Sequence, residues 1–150
     1  QIEAMVVHEL QGYTKNSLFR INQIFGIEER WDAVSERGKE SNRYIARHLP
    51  SKILILEKIG IKEINKENIE FHLGKLAPIE HNRWSAEKIM AGFNYGELPL
   101  HDKKIKSILK NTLKIDDQLK RYDLLDEKNK DKDMDIFLII PLLVKVKNNL

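Results

Sequence analysis

Three residues in the middle of the chain have the chemistry and spacing of a ligand grip. His81, Trp84 and Lys88 lie three and four residues apart, so on a helix they project from one side. A planar base could stack on Trp84 while Lys88, or the neighbouring Arg83, neutralises a phosphate. His81 could donate or accept a hydrogen bond according to pH. The same spacing also fits a core tryptophan with a capping histidine and surface cations, so spacing alone leaves both interpretations open.

Glu80 lies on the apolar stripe between Leu76 and Trp84. A carboxylate on such a face is costly unless it is paired. We therefore expect Glu80 to bond Arg43, Arg83 or a backbone amide. The alternative is a general base with a raised pKa.

A second polar group lies earlier in the chain. Asn42 and Arg43 are predicted just inside a helix start, with Ser41 as its cap. Helix amides attract anions, so if the two halves of the chain face each other, this end would deliver donors to a phosphate or carboxylate near Trp84 and Trp31. In the alternative interpretation Arg43 pairs with Glu40 or with aspartates of the other half, and Trp31 is a core anchor.

Motifs for catalysis and for metal binding are absent from the sequence. The histidines lack the His-Glu-x-x-His spacing, and there is no glycine-rich phosphate loop and no serine in a nucleophile-elbow setting. Zero cysteines exclude thiol nucleophiles, thiolate metal sites and a disulfide framework. Residues 126–135 lack the glycine and terminal glutamate of a calcium loop. We expect no enzyme activity, no metal and no cofactor.

The charged residues are finely mixed along most of the chain. The 26 basic and 23 acidic residues give a formal charge of +3, and the one lopsided stretch is residues 103–114, with five lysines. A duplex binder usually concentrates its cations on one face, so we do not expect nucleic-acid binding.

Length and hydropathy indicate one domain that does not cross a membrane. The 150 residues, 41% of them hydrophobic, can bury one core. The longest apolar run, residues 136–144, contains Pro141 and is too short for a span. We expect no membrane contact, and the lack of cysteine fits a cytoplasmic location. Because the chain begins with Gln1 rather than Met, we expect it to be a piece of a longer protein.

Hydrophobic periodicity predicts a mainly helical fold. Apolar residues recur at helical spacing in residues 2–13, 35–59 and 67–90, and a short amphipathic helix is predicted from Ile105 to Leu113. Pro78 should bend the third helix or mark its restart. Residues 126–146 read as one last helix with Asp126 in its first turn, and a strand is the alternative for its apolar end.

The chain contains an internal repeat. Residues 31–50 align without gaps on residues 122–141, and the pairs that match are Trp31 with Tyr122, Asp32 with Asp123, Glu36 with Glu127, Lys39 with Lys130, and Leu49-Pro50 with Ile140-Pro141. A proline at the same offset twice implies the same bend built twice. We expect two pseudo-symmetric helical half-repeats, residues 1–62 and 67–150, packed as one domain with short strands as an option.

The second half resembles the ryanodine-receptor repeat family, which also occurs as bacterial domains. The matching segments are Glu80-His81-Asn82-Arg83-Trp84, Gly92-Phe93-Asn94-Tyr95-Gly96, Tyr122-Asp123-Leu124-Leu125 and Lys130-Asp131-Lys132-Asp133. The first half is a fainter version, with His8-Glu9, Trp31-Asp32 and Glu40-Ser41-Asn42-Arg43. Residues 97–119 depart from the family pattern.

The resemblance implies a non-enzymatic ligand-sensing domain of a larger signalling protein, in antiviral defence or ion transport. The ligand would be a small nucleotide-derived molecule in a cleft between the half-repeats, and the expected contacts are His81, Arg83, Trp84, Lys88 and Tyr95 from one half and Trp31, Asn42 and Arg43 from the other. A fused or associated effector domain is the expected partner, and a homo-oligomer is left open. The alternative is a protein-interaction module that uses the same cleft or residues 103–114.

Overall fold

The computed structural model describes residues 4–7, 31–99 and 101–148, and this part of the chain is mainly helical. The helices are α1 (Glu36–Arg47), α2 (Leu49–Lys58), α3 (Lys66–Met90), α4 (Lys103–Asn111), α5 (Glu127–Leu138) and α6 (Ile140–Asn148). The strands β1 (Asn94–Tyr95) and β2 (Ile115–Asp116) form a parallel pair. The predicted fold class, mainly helical with short strands, is confirmed.

Two predicted helices are each divided in two before a proline. α1 ends at Arg47 and α2 begins at Leu49, while α5 ends at Leu138 and α6 begins at Ile140. Each proline, Pro50 and Pro141, is the second residue of its new helix, where the amide that proline lacks would have no partner in the helix. The prediction of one continuous helix was therefore wrong in both places. Helix rather than strand for residues 136–146 was right.

Both copies of the repeat start their first helix at the same position with the same kind of cap. The Ser35 hydroxyl accepts a hydrogen bond from the Gly38 amide at 3.2 Å, and the equivalent Asp126 carboxylate accepts one from the Asn129 amide at 2.9 Å. Such side chains satisfy amides that have no partner inside the helix. The predicted place of Asp126 is confirmed. Ser41, by contrast, lies in the middle of α1, so its prediction as a cap was wrong.

Burial also repeats between the two copies. Four positions are buried in both copies, and the pairs are Asn42 with Asp133, Ile45 with Ile136, Ala46 with Phe137, and Leu49 with Ile140. Just beyond the aligned segments, Lys52 and Leu143 are a further buried pair at the same offset. An ion pair recurs as well, from Glu36 to Lys39 at 3.1 Å and from Glu127 to Lys130 at 3.0 Å. The two copies therefore share their helix bounds, their caps and these four buried positions.

The chain divides into two compact units, one of Gln1–Leu73 with Asp135–Leu150 and one of Gly74–Met134. The buried side chains of the first unit include Trp31, Leu56, Ile69, Phe137 and Ile140. Those of the second include Leu76, Ala77, Phe93, Leu98 and Leu125. The half-repeat boundaries at residues 62 and 67 stay a prediction. The predicted helix over residues 2–13 lies mostly outside the described residues, of which residues 4–7 are helical.

α3 carries four of the eight predicted ligand contacts, His81, Arg83, Trp84 and Lys88. It spans Lys66–Met90 with Pro78 inside it, so the carbonyl of Gly74 lacks the amide that would normally bond it four residues later. Gly92, at a φ of 84°, ends the helix in the left-handed conformation that glycine adopts without strain. Among the residues that the structure describes, none of the helices combines the length and apolar character needed to cross a bilayer.

Candidate functional site

The second half of α3 places one histidine inside the protein with an acceptor on each ring nitrogen. His81 is 2% exposed. Its Nε2 lies 2.7 Å from the carbonyl oxygen of Lys120, to which it donates, and its Nδ1 lies 3.2 Å from Oδ2 of Asp133 on α5. With acceptors on both sides, the imidazole is best satisfied when both nitrogens carry a proton.

The electrostatics agree with this geometry. Burial alone would lower the pKa of His81, but the hydrogen bonds to Asp133 and the Lys120 carbonyl, with the Asp133 charge, raise it above its ordinary value. Burial raises the pKa of Asp133, and the bond to His81 offsets part of that rise. Both pKa values are therefore raised, so the proton between His81 Nδ1 and Asp133 Oδ2 stays bound to a higher pH than the ordinary histidine pKa would allow.

Arg83 lies between two carboxylates of its own helix. Its Nε lies 2.9 Å from Oε1 of Glu80, and its Nη1 lies 2.9 Å from Oε2 of Glu87. All three side chains are largely buried, at 12%, 3% and 11% exposed for Arg83, Glu80 and Glu87. The pairing of Glu80 with Arg83 is thus confirmed. Since carboxylates occupy this guanidinium, Arg83 has little capacity left for a phosphate.

Trp84 is partly exposed, and its ring has an imidazole and an ammonium beside it. The rings of Trp84 and His81 are stacked, with centroids 5.7 Å apart and planes 27° apart. The Lys88 ammonium lies 5.7 Å from the Trp84 ring centre and 5.1 Å from that of Phe93. Such distances are those of cation–π contacts. The predicted trio of His81, Trp84 and Lys88 does meet on one side of α3.

Tyr95 and Tyr122 complete the aromatic residues of this unit. Tyr95, on β1, is 52% exposed, and its hydroxyl donates to Glu97 at 2.6 Å. The Tyr122 ring lies 5.9 Å from the His81 ring, and its hydroxyl is buried with no hydrogen-bond partner among the described residues. The ligand role of Tyr95 stays a prediction.

The three predicted residues of the first repeat copy are held by their own surroundings. Trp31 is 2% exposed, as a core anchor would be, and the Arg43 guanidinium lies 5.8 Å from its ring centre. Arg43 also pairs with Glu40 at 3.2 Å. Asn42 is buried in the middle of α1 and donates to the Gly38 carbonyl at 2.8 Å, so neither residue sits at a helix start as predicted. A cleft shared by both halves stays a prediction.

A serine completes an arrangement that looks like a hydrolase triad but lacks its chemistry. Ser85 Oγ lies 3.5 Å from Nε2 of His81, which in turn bonds Asp133 through Nδ1. However, Nε2 already donates to the Lys120 carbonyl at 2.7 Å, so it has no lone pair to accept the serine proton. The geometry provides no general base for Ser85.

Sequence reasoning missed Asp133, Glu87 and the Lys120 carbonyl. Asp133 could have been found from the repeat, since it stands 91 residues after Asn42, the same offset that separates Tyr122 from Trp31. Glu87 follows Arg83 by four residues, a spacing that favours ion pairs on a helix. The Lys120 carbonyl has no sequence signal.

An open depression of about 320 Å³ in the first unit is lined by residues that include Ile61, Phe71 and His72, and by none of the predicted ligand contacts. Within the described ranges, no group of three or more histidine, aspartate and glutamate side chains could hold a metal ion.

Comparison with protein-family models, with curated proteins and with solved structures finds no match to this chain. The resemblance to ryanodine-receptor repeats therefore rests on the sequence motifs alone.

Proposed function

We propose that the chain is a non-enzymatic sensing module that binds a small nucleotide-like ligand against the side of α3 that carries Trp84 and Lys88. The observation that carries the proposal is the partly exposed Trp84 ring with the Lys88 ammonium 5.7 Å from its centre. An aromatic ring can stack with a base and an ammonium can neutralise a phosphate. The resemblance to ryanodine-receptor repeats implies the same class of ligand.

The Trp84 ring is prepared for binding by the residues behind it. His81 stacks on it and is itself fixed at both ring nitrogens by Asp133 and the Lys120 carbonyl. A ring that is already held in place loses little rotational freedom when a ligand arrives, and this favours affinity.

The residue roles differ from those expected from the sequence. Lys88 is the phosphate partner, because the Arg83 guanidinium is held by Glu80 and Glu87. Arg83 is instead a positioning residue, which anchors two carboxylates on the buried side of α3. His81 positions Trp84 and does not accept a proton from the ligand.

Sensing requires a coupled effector. The proposal includes a fused or associated effector domain in a cytoplasmic signalling protein. Ligand binding shifts such an equilibrium only when the ligand contacts the two states differently.

Calorimetric titration of the full chain with adenosine, AMP, ADP, ATP, cyclic AMP and GTP tests the proposal. We expect Trp84→Leu to weaken every ligand that binds by at least about tenfold, since all of them lose the stacking surface. We expect Lys88→Gln to weaken the phosphorylated ligands and to leave adenosine unchanged. The matched controls are Phe71→Leu, which removes a more exposed aromatic ring in the other unit, and Lys58→Gln.

Two results would contradict the proposal. One is the absence of binding heat for all six compounds. The other is an equal loss of affinity in Phe71→Leu and Trp84→Leu, which would show that binding is not specific to the side of α3 that carries Trp84 and Lys88.

A further inference from the structure

α4 is an amphipathic helix whose apolar side is not covered by any residue that the structure describes. Ile105 and Ile108 are 49% and 48% exposed, and Leu113, just beyond the helix, is 58% exposed. None of the nine residues of α4 is buried. A helix with an apolar stripe normally packs that stripe against a core, and contiguous exposed apolar residues mark interaction surfaces.

The side of α4 away from the stripe holds the helix in place. Lys110 Nζ lies 3.1 Å from Oδ2 of Asp116, a fully buried residue of β2. Lys110 follows Ile108 by two residues, which on a helix of about 3.6 residues per turn puts it on nearly the opposite side. At the start of the helix, Asp102 accepts a hydrogen bond from the Ile105 amide at 2.9 Å.

The chain that follows α4 is fixed as well. Lys114 donates to the Ala91 carbonyl at 2.6 Å, and β2 pairs with β1 directly after it. The exposed stripe therefore belongs to a capped helix that is held to the rest of its unit along its other side and just beyond its C-terminal end.

The charged residues from Lys103 to Lys114 are all basic. Residues 103–114 contain five lysines and no acidic residue. Lys103, Lys104 and Lys106 stand in the first turns of α4, where the helix dipole disfavours cations. A second copy of this helix would bring lysines against lysines, so the charges favour an acidic partner over self-association.

We propose that α4 is the docking helix for an acidic amphipathic helix of a partner protein. The apolar side of the partner helix packs along Ile105, Ile108 and Leu113. Its flanking carboxylates pair with Lys103, Lys104 and Lys106, which fixes the direction in which it binds.

A synthetic peptide tests the proposal directly. The probe is a fluorescein-labelled helical peptide of about three heptads, with leucine at the a and d positions and glutamate beside them. The comparison probes are a scrambled peptide of the same composition and vesicles of phosphatidylcholine and phosphatidylglycerol. Fluorescence anisotropy measures peptide binding, and co-sedimentation measures vesicle binding. We expect the ordered peptide to bind at least about tenfold more tightly than the scrambled one.

Variants of the full chain locate the binding surface. We expect Ile105→Ser with Ile108→Ser, and separately Lys104→Glu with Lys106→Glu, to weaken the ordered peptide by at least about tenfold. The matched controls lie on α2, where Leu54 is 51% exposed and Lys58 is exposed. Leu54→Ser and Lys58→Glu should leave the affinity unchanged. Because the changed residues are not buried, circular dichroism should show the same helix content in all variants.

Several outcomes would overturn the proposal. They are no binding of the ordered peptide, equal binding of the scrambled peptide, or an equal loss in the α2 control variants. Binding to anionic vesicles with no binding to the peptide would also overturn it, because the stripe would then serve a lipid surface.

Discussion

The two repeat copies share a scaffold and differ in what their buried polar residue does. In residues 31–50, Asn42 bonds the Gly38 carbonyl of its own helix at 2.8 Å. In residues 122–141, the equivalent Asp133 reaches across to His81 on α3, with Oδ2 3.2 Å from Nδ1. A buried polar group must find a partner, and a local partner leaves the rest of the fold unaffected. The partner on another helix instead fixes the residue that stacks on Trp84.

The aromatic residues at the start of the two copies, Trp31 and Tyr122, also differ in burial and in what they contact. Trp31 is buried in the first unit, whereas Tyr122 is partly exposed and lies 5.9 Å from the His81 ring. The first copy therefore uses its large side chains for packing. The second copy also packs Phe137 and Ile140 in a core, but it contributes Tyr122 and Asp133 to the group around His81. This is why we propose the ligand surface beside these two residues.

Substitution of the two arginines should give the greatest difference in the free energy of unfolding. Arg83→Met leaves the buried Glu80 and Glu87 without their cation, and we expect a loss of about 3–5 kcal/mol in the free energy of unfolding. Arg43→Met breaks a partly exposed pair with Glu40, and we expect a loss of about 1 kcal/mol or less. Urea denaturation measures both. Equal losses would contradict the distinction between a buried network and a surface pair.

The two equivalent buried polar residues, Asp133 and Asn42, should differ less in their contribution to the free energy of unfolding. Asp133→Ala leaves His81 with an unsatisfied nitrogen inside the protein, and we expect a loss of about 3 kcal/mol. Asn42→Ala removes one local hydrogen bond, and we expect a loss of about 1–2 kcal/mol. A larger loss for Asn42→Ala than for Asp133→Ala, in the same denaturation assay, would reverse the comparison.

The two equivalent helix caps, Ser35 and Asp126, should contribute equally and less to stability. Ser35→Ala and Asp126→Ala each remove a cap from the equivalent helix, and we expect each to lower the free energy of unfolding by about 1 kcal/mol. A neutral result for one cap beside a normal loss for the other would break the structural equivalence of the copies.

The pH dependence of the free energy of unfolding should come from the pair of His81 on α3 and Asp133 in the second copy. The folded protein binds the His81 proton more tightly than the unfolded chain does, because the pKa of His81 is raised. The resulting stabilisation is fully present below the ordinary histidine pKa of about 6.5 and is lost as the pH rises through the raised value. The raised pKa of Asp133 acts in the same direction at acid pH. Denaturation midpoints between pH 6 and pH 9 should fall in the natural chain and fall less in His81→Gln.

The sequence predicted those features that depend on local chemistry. Helical spacing and the aligned prolines indicated most of the described helices and the repeat. The spacing of His81, Trp84 and Lys88 predicted their common side, and the cost of an unpaired carboxylate predicted a partner for Glu80. The helix that carries Asn42 was predicted from residue 35, but Ser41 rather than Ser35 was taken as its cap, so Asn42 and Arg43 were wrongly placed near its start.

Long-range partners were beyond the sequence. The contact of His81 with the Lys120 carbonyl joins residues 39 positions apart and involves only backbone on one side. Nothing in the residue type at position 120 reports that contact. The uncovered side of α4 could be seen as an amphipathic pattern, but only the structure shows that no described residue buries it.

Asp133 holds the His81 ring beside Trp84 and favours the doubly protonated imidazole. Nitrogen-15 NMR of the His81 ring across a pH titration measures this protonation state. We predict that His81 keeps both ring protons above the ordinary histidine pKa of about 6.5, and that Asp133→Asn lowers the pH at which the second proton is lost. Loss of the second proton at or below that ordinary pKa, or no change in Asp133→Asn, would show that Asp133 does not have this role.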